Sequence, residues 1–326
     1  MMNWNIRELK ARAAALAAEN RSAVRRLVLL YCGVVAALTL GSSGLNLYLD
    51  SQIGGTGGLT GLGTRSVLQT IQELLSYVNM YFGPFWSAGF LAAMIGMVRG
   101  RAPENRDLTE GFRRFFRILG HLAFRFLVVV LLGTVSMNLG AVLFIASPLG
   151  SGFTEAMEPI LTDPNLFLAD GSINMDLIPQ DLLIRSGLPL TLIILAVFCL
   201  LYLYLGYHFR LSMYLVMDRP IGAVAAHFLS VRLMRGHKWQ MLKMDLSYWW
   251  YYLLMLVIGV VGYLDVILSL LGLPLPMDPT VMFFLTLGAY CVLNMGLSLW
   301  QKARVDASYV LAYEHIANPE PVQTAE

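Results

Sequence analysis

Charged side chains are missing from six long apolar stretches of this 326-residue chain. The stretches without Asp, Glu, Lys or Arg are residues 27–49, 74–98, 126–147, 186–207, 246–264 and 280–300. At a rise of about 1.5 Å per residue, helices of this length cross roughly 30 Å of hydrocarbon. Strands of a membrane barrel would alternate apolar and polar residues, which these stretches do not. The pattern therefore predicts an all-α, polytopic membrane protein with six transmembrane helices.

The ends of the chain are polar and divide it into three parts. Residues 1–26 have helical periodicity and a capping asparagine at Asn5, which predicts an amphipathic cytoplasmic helix. Residues 27–300 form the predicted six-helix membrane domain. Residues 301–326 contain charged residues again, so we expect a cytoplasmic C-terminal tail.

Basic residues fall almost entirely on one side of this predicted membrane domain. Of the 23 lysines and arginines, 21 lie in segments that face one side, and only Arg65 and Arg185 face the other. The positive-inside rule then places both termini in the cytoplasm. The composition, 57% apolar and 13% charged, argues against a disordered protein or an ordinary cytosolic enzyme.

Two basic segments between the stretches predict amphipathic helices on the cytoplasmic surface. Residues 99–117 have a net charge of +3 and residues 210–243 one of +5. The candidate contacts to anionic lipid headgroups are Arg106, Arg113, Arg114, Arg117, Arg232, Arg235 and Lys238. Phe112, Phe115, Phe116 and Phe228 would insert below them. Alternatively, the phenylalanines pack on other helices and the arginines only set the topology.

Three smaller features are candidates for a functional role. Arg125, Arg210 and Asp245 lie near the predicted inner interface, where an ion pair would offset poor solvation. Gly83 and Pro84 predict a kink in the second stretch. In the acidic outer loop, residues 148–185, Asp170, Ser172, Asn174, Asp176 and Asp181 have calcium-loop spacing. Met175 replaces the required glycine, however, so a hairpin turn or irregular loop is favoured.

Signatures of catalysis are missing from the sequence. The five histidines form no zinc-hydrolase spacing, and no carboxylate pair lies within a stretch. The sequence therefore favours a non-enzymatic membrane protein that organises or senses lipids or partner proteins. A transporter or export component with a cavity among kinked helices, and a membrane-embedded enzyme, are the alternatives. Anionic lipids are the expected partners, and a partner membrane protein or homo-oligomer is left open. No cofactor, metal or nucleic acid is expected.

Several short motifs resemble one family of bacterial integral membrane proteins. They are Ile6 to Arg12, Arg99-Gly100, the Phe112 region, Asp218-Arg219-Pro220, Gly236-His237-Lys238-Trp239, Asp245 to Trp249 and Ala312-Tyr313-Glu314. Together they resemble the domain-of-unknown-function 975 family, which is distantly similar to the membrane domain of glycerophosphodiester phosphodiesterases. The resemblance implies six helices in a bacterial plasma membrane and supplies no catalytic residues.

Overall fold

The described part of the chain is helical and contains no strand. The structure, a computed structural model, describes residues 5–55, 61–163, 180–271 and 277–318. The chain divides into two compact units. The larger unit contains residues 1–121 and 211–326, and the smaller unit contains residues 122–210. The prediction of an all-helical chain is confirmed for the described residues.

The helices vary widely in length. The first seven are α1 (Ile6–Glu19), α2 (Arg21–Gly55), α3 (Gly61–Val98), α4 (Glu110–Arg113), α5 (Phe115–Ile145), α6 (Pro148–Leu161) and α7 (Gln180–His208). The second seven are α8 (Ser212–Asp218), α9 (Ala223–Leu233), α10 (Lys238–Ser247), α11 (Trp249–Gly262), α12 (Leu264–Leu270), α13 (Pro279–Leu297) and α14 (Ala303–Ala317). A 3₁₀ turn, Asn105–Thr109, precedes α4, and a π-helical turn, Ser298–Lys302, joins α13 to α14.

Four helical segments of the described chain are long and apolar enough to cross a membrane. They are Arg21–Asn46, Phe115–Ile145, Gly187–Asp218 and Thr280–Ala317. A fifth candidate combines α10 and α11, which meet at a bend of 61°. The predicted stretch 246–264 is therefore not one straight helix. Of the predicted stretch 74–98, the segment Phe82–Val98 is a shorter apolar helix, so six spans are not established.

The core of the larger unit is built around α14. This helix occupies part of the segment 301–326, where the sequence predicts a cytoplasmic C-terminal tail. Buried side chains lie on nearly all its sides, at Ala303, Val305, Ala307, Ser308, Tyr309, Val310, Leu311, Ala312, Tyr313 and Ile316. Helices α1 and α3 both pack on it. A helix that is apolar on nearly every side is buried rather than amphipathic.

The bend between α10 and α11 is fixed by contacts to α14. Tyr248 lies at the bend, is buried, and makes a hydrogen bond of 2.7 Å to the hydroxyl of Ser308. Lys10 of α1 lies over the Tyr248 ring, 4.1 Å from its centroid, and donates to the carbonyl of Ser247 at 3.0 Å. The backbone at the bend is thus held by polar contacts from both α1 and α14.

Glycines allow α3 to pack tightly against the 3₁₀ turn and α4. A Cβ atom at Gly89 would lie 2.0 Å from the carbonyl oxygen of Leu108, and one at Gly111 would lie 1.9 Å from that of Phe85. The rings of Phe112 and Phe115 stack on Phe85, with centroid distances of 5.6 and 4.9 Å. The segment after α3 is therefore folded back onto that helix.

The smaller unit contains the rest of α5, together with α6 and α7. Helices α5 and α7 approach closely at Gly140, where a Cβ atom would lie 2.5 Å from Ile194 Cγ1. Ser147 caps the start of α6 by accepting a hydrogen bond from the Gly150 amide at 3.2 Å, and Pro148 occupies the first helical position.

Replacing Gly111 with alanine should destabilise the larger unit. The new methyl group would collide with the Phe85 carbonyl, and relieving the collision should cost about 1–3 kcal/mol. The midpoint of thermal unfolding in detergent should fall by several degrees. Gly33→Ala is the matched control, because a Cβ atom there meets nothing within 4 Å. Equal midpoints for the two variants would contradict the close packing of α3 and α4.

Candidate functional site

The ends of α3, α8 and α14 meet at a polar cluster in the larger unit, here called the Asp218 cluster: Arg99, Asp218, Tyr313 and Glu314. The Asp218 carboxylate accepts a hydrogen bond from the Arg99 guanidinium at 2.5 Å and another from the Tyr313 hydroxyl at 2.6 Å. Glu314 binds the same guanidinium at 2.7 Å. Helices that are distant in sequence are therefore joined at one carboxylate.

Local sequence explains why these groups can meet. Gly100 adopts a left-handed backbone conformation, with φ of 84°, and ends α3 immediately after Arg99. Asp218 is the last residue of α8, and Tyr313 and Glu314 lie in the last turns of α14. Because charged residues lie at helix ends, they come together without entering the apolar middle of a helix.

The electrostatics of the cluster favour a structural tie. The Asp218 side chain is only 8% exposed, so its charge needs the partners that it has. The hydrogen bond to Asp218 raises the pKa of Arg99 above its ordinary value, and the negative charges of Asp218 and Glu314 act in the same direction. Both acids therefore face a permanent cation.

Two further arginines donate hydrogen bonds to backbone carbonyl groups near helix C-termini. Arg219 donates to the carbonyl of Ala317 at 3.0 Å, at the end of α14. Arg114 donates to the carbonyls of Val216 and Met217, near the end of α8. Cations near helix C-termini are stabilised by the helix dipole. These contacts strengthen the same junction of helices.

The structure divides the predicted headgroup-binding residues into two groups. In the first group, Arg106 pairs with Glu104 at 2.7 Å and Arg113 pairs with Glu110 at 2.8 Å. Arg114 belongs with them, because it is half-buried and bound to α8. The charges of this group already have partners inside the larger unit.

The second group consists of Arg117, Arg232 and Arg235. Within the described residues, none of the three forms an ion pair, and both Arg232 and Arg235 are exposed. Lys238 begins α10 and is half-buried. Arg117 lies on the first turn of α5, Arg232 on the last turn of α9, and Arg235 in the turn that follows α9.

Two buried histidines bring these two helices together. The rings of His121, on α5, and His227, on α9, stack with centroids 4.6 Å apart. Gly120 directly precedes His121, and a Cβ atom there would lie 3.3 Å from the Ala223 methyl, one turn before His227. Basic segments that are separate in sequence thus belong to adjacent helices.

The phenylalanines near these arginines divide in the same way. Phe112 packs against Phe82 and Phe85, and Phe115 stacks on Phe85, which corresponds to the alternative of packing on other helices. Phe116 is 84% exposed and Phe228 is 64% exposed. These last two are the most exposed of the four, while Phe115 is 42% exposed beside its stack on Phe85.

The predicted ion pair of Arg125, Arg210 and Asp245 stays a prediction. Arg125 and Arg210 belong to the smaller unit, and the Arg210 guanidinium lies 5.8 Å from the Tyr207 ring centroid. Asp245 belongs to the larger unit and accepts a hydrogen bond of 2.5 Å from the Tyr309 hydroxyl. Sequence reasoning missed Tyr309, because nothing in the predicted tail indicated that it was buried.

The predicted kink and calcium loop also stay predictions. Gly83 and Pro84 lie within α3, which continues past them to Val98. Of the calcium-loop candidates, residues 170–176 lie outside the described residues, and the Asp181 side chain does too. No group of three or more metal-binding side chains occurs among the residues that were described.

Comparison with known proteins identifies a family for this chain. The family described as "Protein of unknown function (DUF975)" matches residues 15–287. The chain belongs to this family. No curated protein matches the chain, and no solved structure matches it. The resemblance inferred from the sequence motifs is confirmed, whereas the distant similarity to glycerophosphodiester phosphodiesterases stays a prediction.

Motifs that suggested the family meet at the Asp218 cluster. Arg99-Gly100 and Asp218-Arg219 fall within the matched residues, and Tyr313-Glu314 follows beyond them. These three motifs are far apart in sequence and touch one another in the structure. The cluster is therefore part of what the motifs encode in this chain.

Replacing Arg99 with glutamine should destabilise the protein more than the same change at Arg113. The first change removes the cation from a buried carboxylate, which should cost about 1–3 kcal/mol. The second removes an exposed pair to Glu110, worth about 0–1 kcal/mol. Thermal unfolding midpoints in detergent compare the two. Adding Asp218→Asn to Arg99→Gln should recover part of the loss. If Arg99→Gln lowers the midpoint no more than Arg113→Gln, the tie is not structural.

Proposed function

We propose that this chain is a non-enzymatic integral protein of the bacterial plasma membrane that organises anionic lipids at its cytoplasmic face. One observation carries the proposal: exposed phenylalanines and arginines that form no ion pair among the described residues occur together on adjacent helices. Phe116 and Arg117 follow one another on α5, and Phe228 lies one turn before Arg232 on α9. An apolar ring beside a free cation fits the boundary between acyl chains and anionic headgroups.

Helix α9 supports this proposal by the way its faces divide. Ala226, His227 and Ser230 are buried against the protein. Val224, Phe228 and Arg232 recur at intervals of four residues and are exposed, and the exposed Arg235 follows in the turn after the helix. The exposed stripe thus passes from apolar to basic residues along the helix. With Phe228 toward the acyl chains, the Arg232 side chain one turn later would lie at the level of the anionic headgroups.

The exposed surface of the long helices supports a membrane location. In the most apolar window of the segment Gly187–Asp218, no residue is buried, although its mean hydropathy is 2.5. In water so large an apolar surface would be unfavourable, whereas in a bilayer it faces acyl chains. We propose six passes, with α3 as the second and the bent α10–α11 pair as the fifth.

The orientation proposed here places both termini in the cytoplasm, because 21 of 23 basic residues belong to that side. Single cysteines can test it in a background without the three native ones. In intact cells, an impermeant thiol reagent should label Ser151→Cys, on the exposed start of α6, and spare Arg106→Cys. Permeabilised cells should label both positions. The reverse pattern in intact cells would overturn the orientation.

Lipid preference tests the proposed function directly. Full-length protein is delipidated and then mixed with equal amounts of phosphatidylglycerol and phosphatidylcholine. Native mass spectrometry, which counts the bound lipids, should show more bound phosphatidylglycerol. The preference should weaken as ammonium acetate is raised, because the Debye length is about 10 Å at 0.1 M and shortens with salt. Each basic residue near an anionic surface contributes up to about 1 kcal/mol, so Arg232→Gln with Arg235→Gln should reduce the preference several-fold.

A matched pair of substitutions controls for the loss of charge. Arg106→Gln with Arg113→Gln also removes two cations, but both already have acidic partners. This control should keep most of the preference for the anionic lipid. Equal retention of the two lipids by the unmodified protein would overturn the proposed function. Equal losses in both double variants would show that net charge alone, and not the exposed stripe, sets the preference.

A further inference from the structure

A groove separate from the α5–α9 surface runs between α2 and the segment that joins α13 to α14. Its volume is about 630 Å³, within the range of roughly 300–1,000 Å³ typical of ligand clefts. The lining residues are Ala17, Ala18, Arg21, Val24, Arg25, Leu29, Gly296, Leu299, Trp300, Ala303 and Arg304. Within the described residues, this lining contains three arginines and no acid.

The two walls of the groove run in opposite chain directions. Helix α1 packs along α14, the π-helical turn contacts α2, and α13 packs on α2 as well. Lys302 of the π-helical turn lies over the Tyr31 ring, 5.1 Å from its centroid. The start of α2 therefore lies beside the start of α14, and the later part of α2 lies beside α13. Arg304 is thus at the same end of the groove as Arg21 and Arg25.

Both walls change from basic to apolar in the same direction. On α2, Arg21, Arg25 and Leu29 follow at intervals of four residues and thus share one face. On the opposite wall, Arg304 is followed by Trp300 and Gly296 in the direction of α13. The groove therefore has a cationic end near the helix termini and an apolar end within two candidate spans.

The π-helical turn exposes the aromatic residue of the apolar end. Gln301 is buried and Lys302 is held at 3.0 Å from Asp306, whereas Trp300 is 58% exposed. The Trp300 ring also contacts Trp250, with centroids 5.5 Å apart. Tryptophan is enriched where headgroups meet acyl chains, and π-helical turns are frequent at functional sites.

We propose that this groove binds one anionic glycerophospholipid, with its phosphate among Arg21, Arg25 and Arg304 and an acyl chain along Leu29, Leu299 and Trp300. Guanidinium groups donate paired hydrogen bonds to phosphate oxygens, and the three exposed cations have no ion-pair partner among the described residues. A free phosphate anion would use only the cationic end. The apolar continuation of the groove is explained by a lipid. This proposal extends the proposed function from a surface preference to a defined site.

Trp300 provides a local probe for the experiment. Full-length protein in detergent is titrated with phosphatidylglycerol that carries bromine on its acyl chains, which quenches nearby tryptophan fluorescence. The difference between the unmodified protein and Trp300→Phe isolates the quenching at the groove. Half-maximal quenching of this component should need about tenfold more lipid in the Arg21→Gln, Arg25→Gln, Arg304→Gln variant, since each cation contributes up to about 1 kcal/mol before screening.

The matched control removes three other exposed arginines, two on α1 and one on α2. Arg7, Arg12 and Arg26 do not line the groove. Their replacement with glutamine should leave the Trp300 component nearly unchanged. Circular dichroism and the unfolding midpoint check that both triple variants fold. If the groove variant does not fold, the single variants Arg25→Gln and Arg304→Gln should each raise the lipid concentration for half-maximal quenching by a smaller factor.

The outcomes separate the groove from the wider proposal. Equal shifts in the two triple variants, with the preference for phosphatidylglycerol intact, would overturn the groove and leave the proposed function standing. If the unmodified protein shows no preference for phosphatidylglycerol, both the groove proposal and the proposed function are overturned. Brominated phosphatidylcholine, which has the same phosphate but no net charge, should quench Trp300 weakly, and equal quenching by both lipids would contradict a site that selects anionic lipids. Inorganic phosphate at millimolar concentration should not displace the lipid; displacement would assign the site to free phosphate.

Discussion

A single buried carboxylate, that of Asp218, determines how the helix ends of the larger unit are held. Its side chain is only 8% exposed, so its charge is stabilised by a cation and a hydroxyl donor. Arg99 and Tyr313 supply them from positions 119 and 95 residues away along the chain. Satisfying this one charge therefore fixes the ends of α3, α8 and α14 together. The orientation of α14, on which α1 and α3 pack, depends on that junction.

This constraint also explains why the basic residues of the chain are not equivalent. Some are used inside the fold: Arg99 binds two acids, Arg114 and Arg219 bind helix carbonyls, and Lys302 pairs with Asp306. Others, such as Arg232 and Arg304, point outward without an acidic partner among the described residues. The positive-inside asymmetry counts both groups alike. Only the second group is available to lipid, which is why the proposed sites use it.

The sequence predicts the location of the apolar helices better than their ends. Charge-free stretches indicate where hydrocarbon can be crossed, and α5 and α7 cover the third and fourth stretches. The bend at Tyr248 could not be found in this way, because no proline or glycine marks it. It depends on a hydroxyl of α14, which lies 60 residues further along the chain. Such long-range contacts leave no local pattern.

The buried position of α14 is the clearest example of this limit. Lys302, Arg304 and Asp306 follow the last charge-free stretch, and that change of composition suggested a cytoplasmic tail without indicating a buried helix. In the structure, Lys302 and Asp306 neutralise each other at 3.0 Å, and the apolar residues after them fill the core. The surfaces that bury Tyr309 and Tyr313 belong to other helices, so the sequence of the tail did not indicate them.

The central claim is that α14 is a core helix held by the Asp218 cluster, and hydrogen–deuterium exchange measures this most directly. In the full-length protein in detergent, peptides covering residues 303–317 should exchange as slowly as those from Phe82–Val98 of α3, because the amides of a packed helix exchange only when the structure opens. Arg99→Gln should speed exchange in both segments together. Exchange over residues 303–317 as fast as in an unstructured tail would contradict the account.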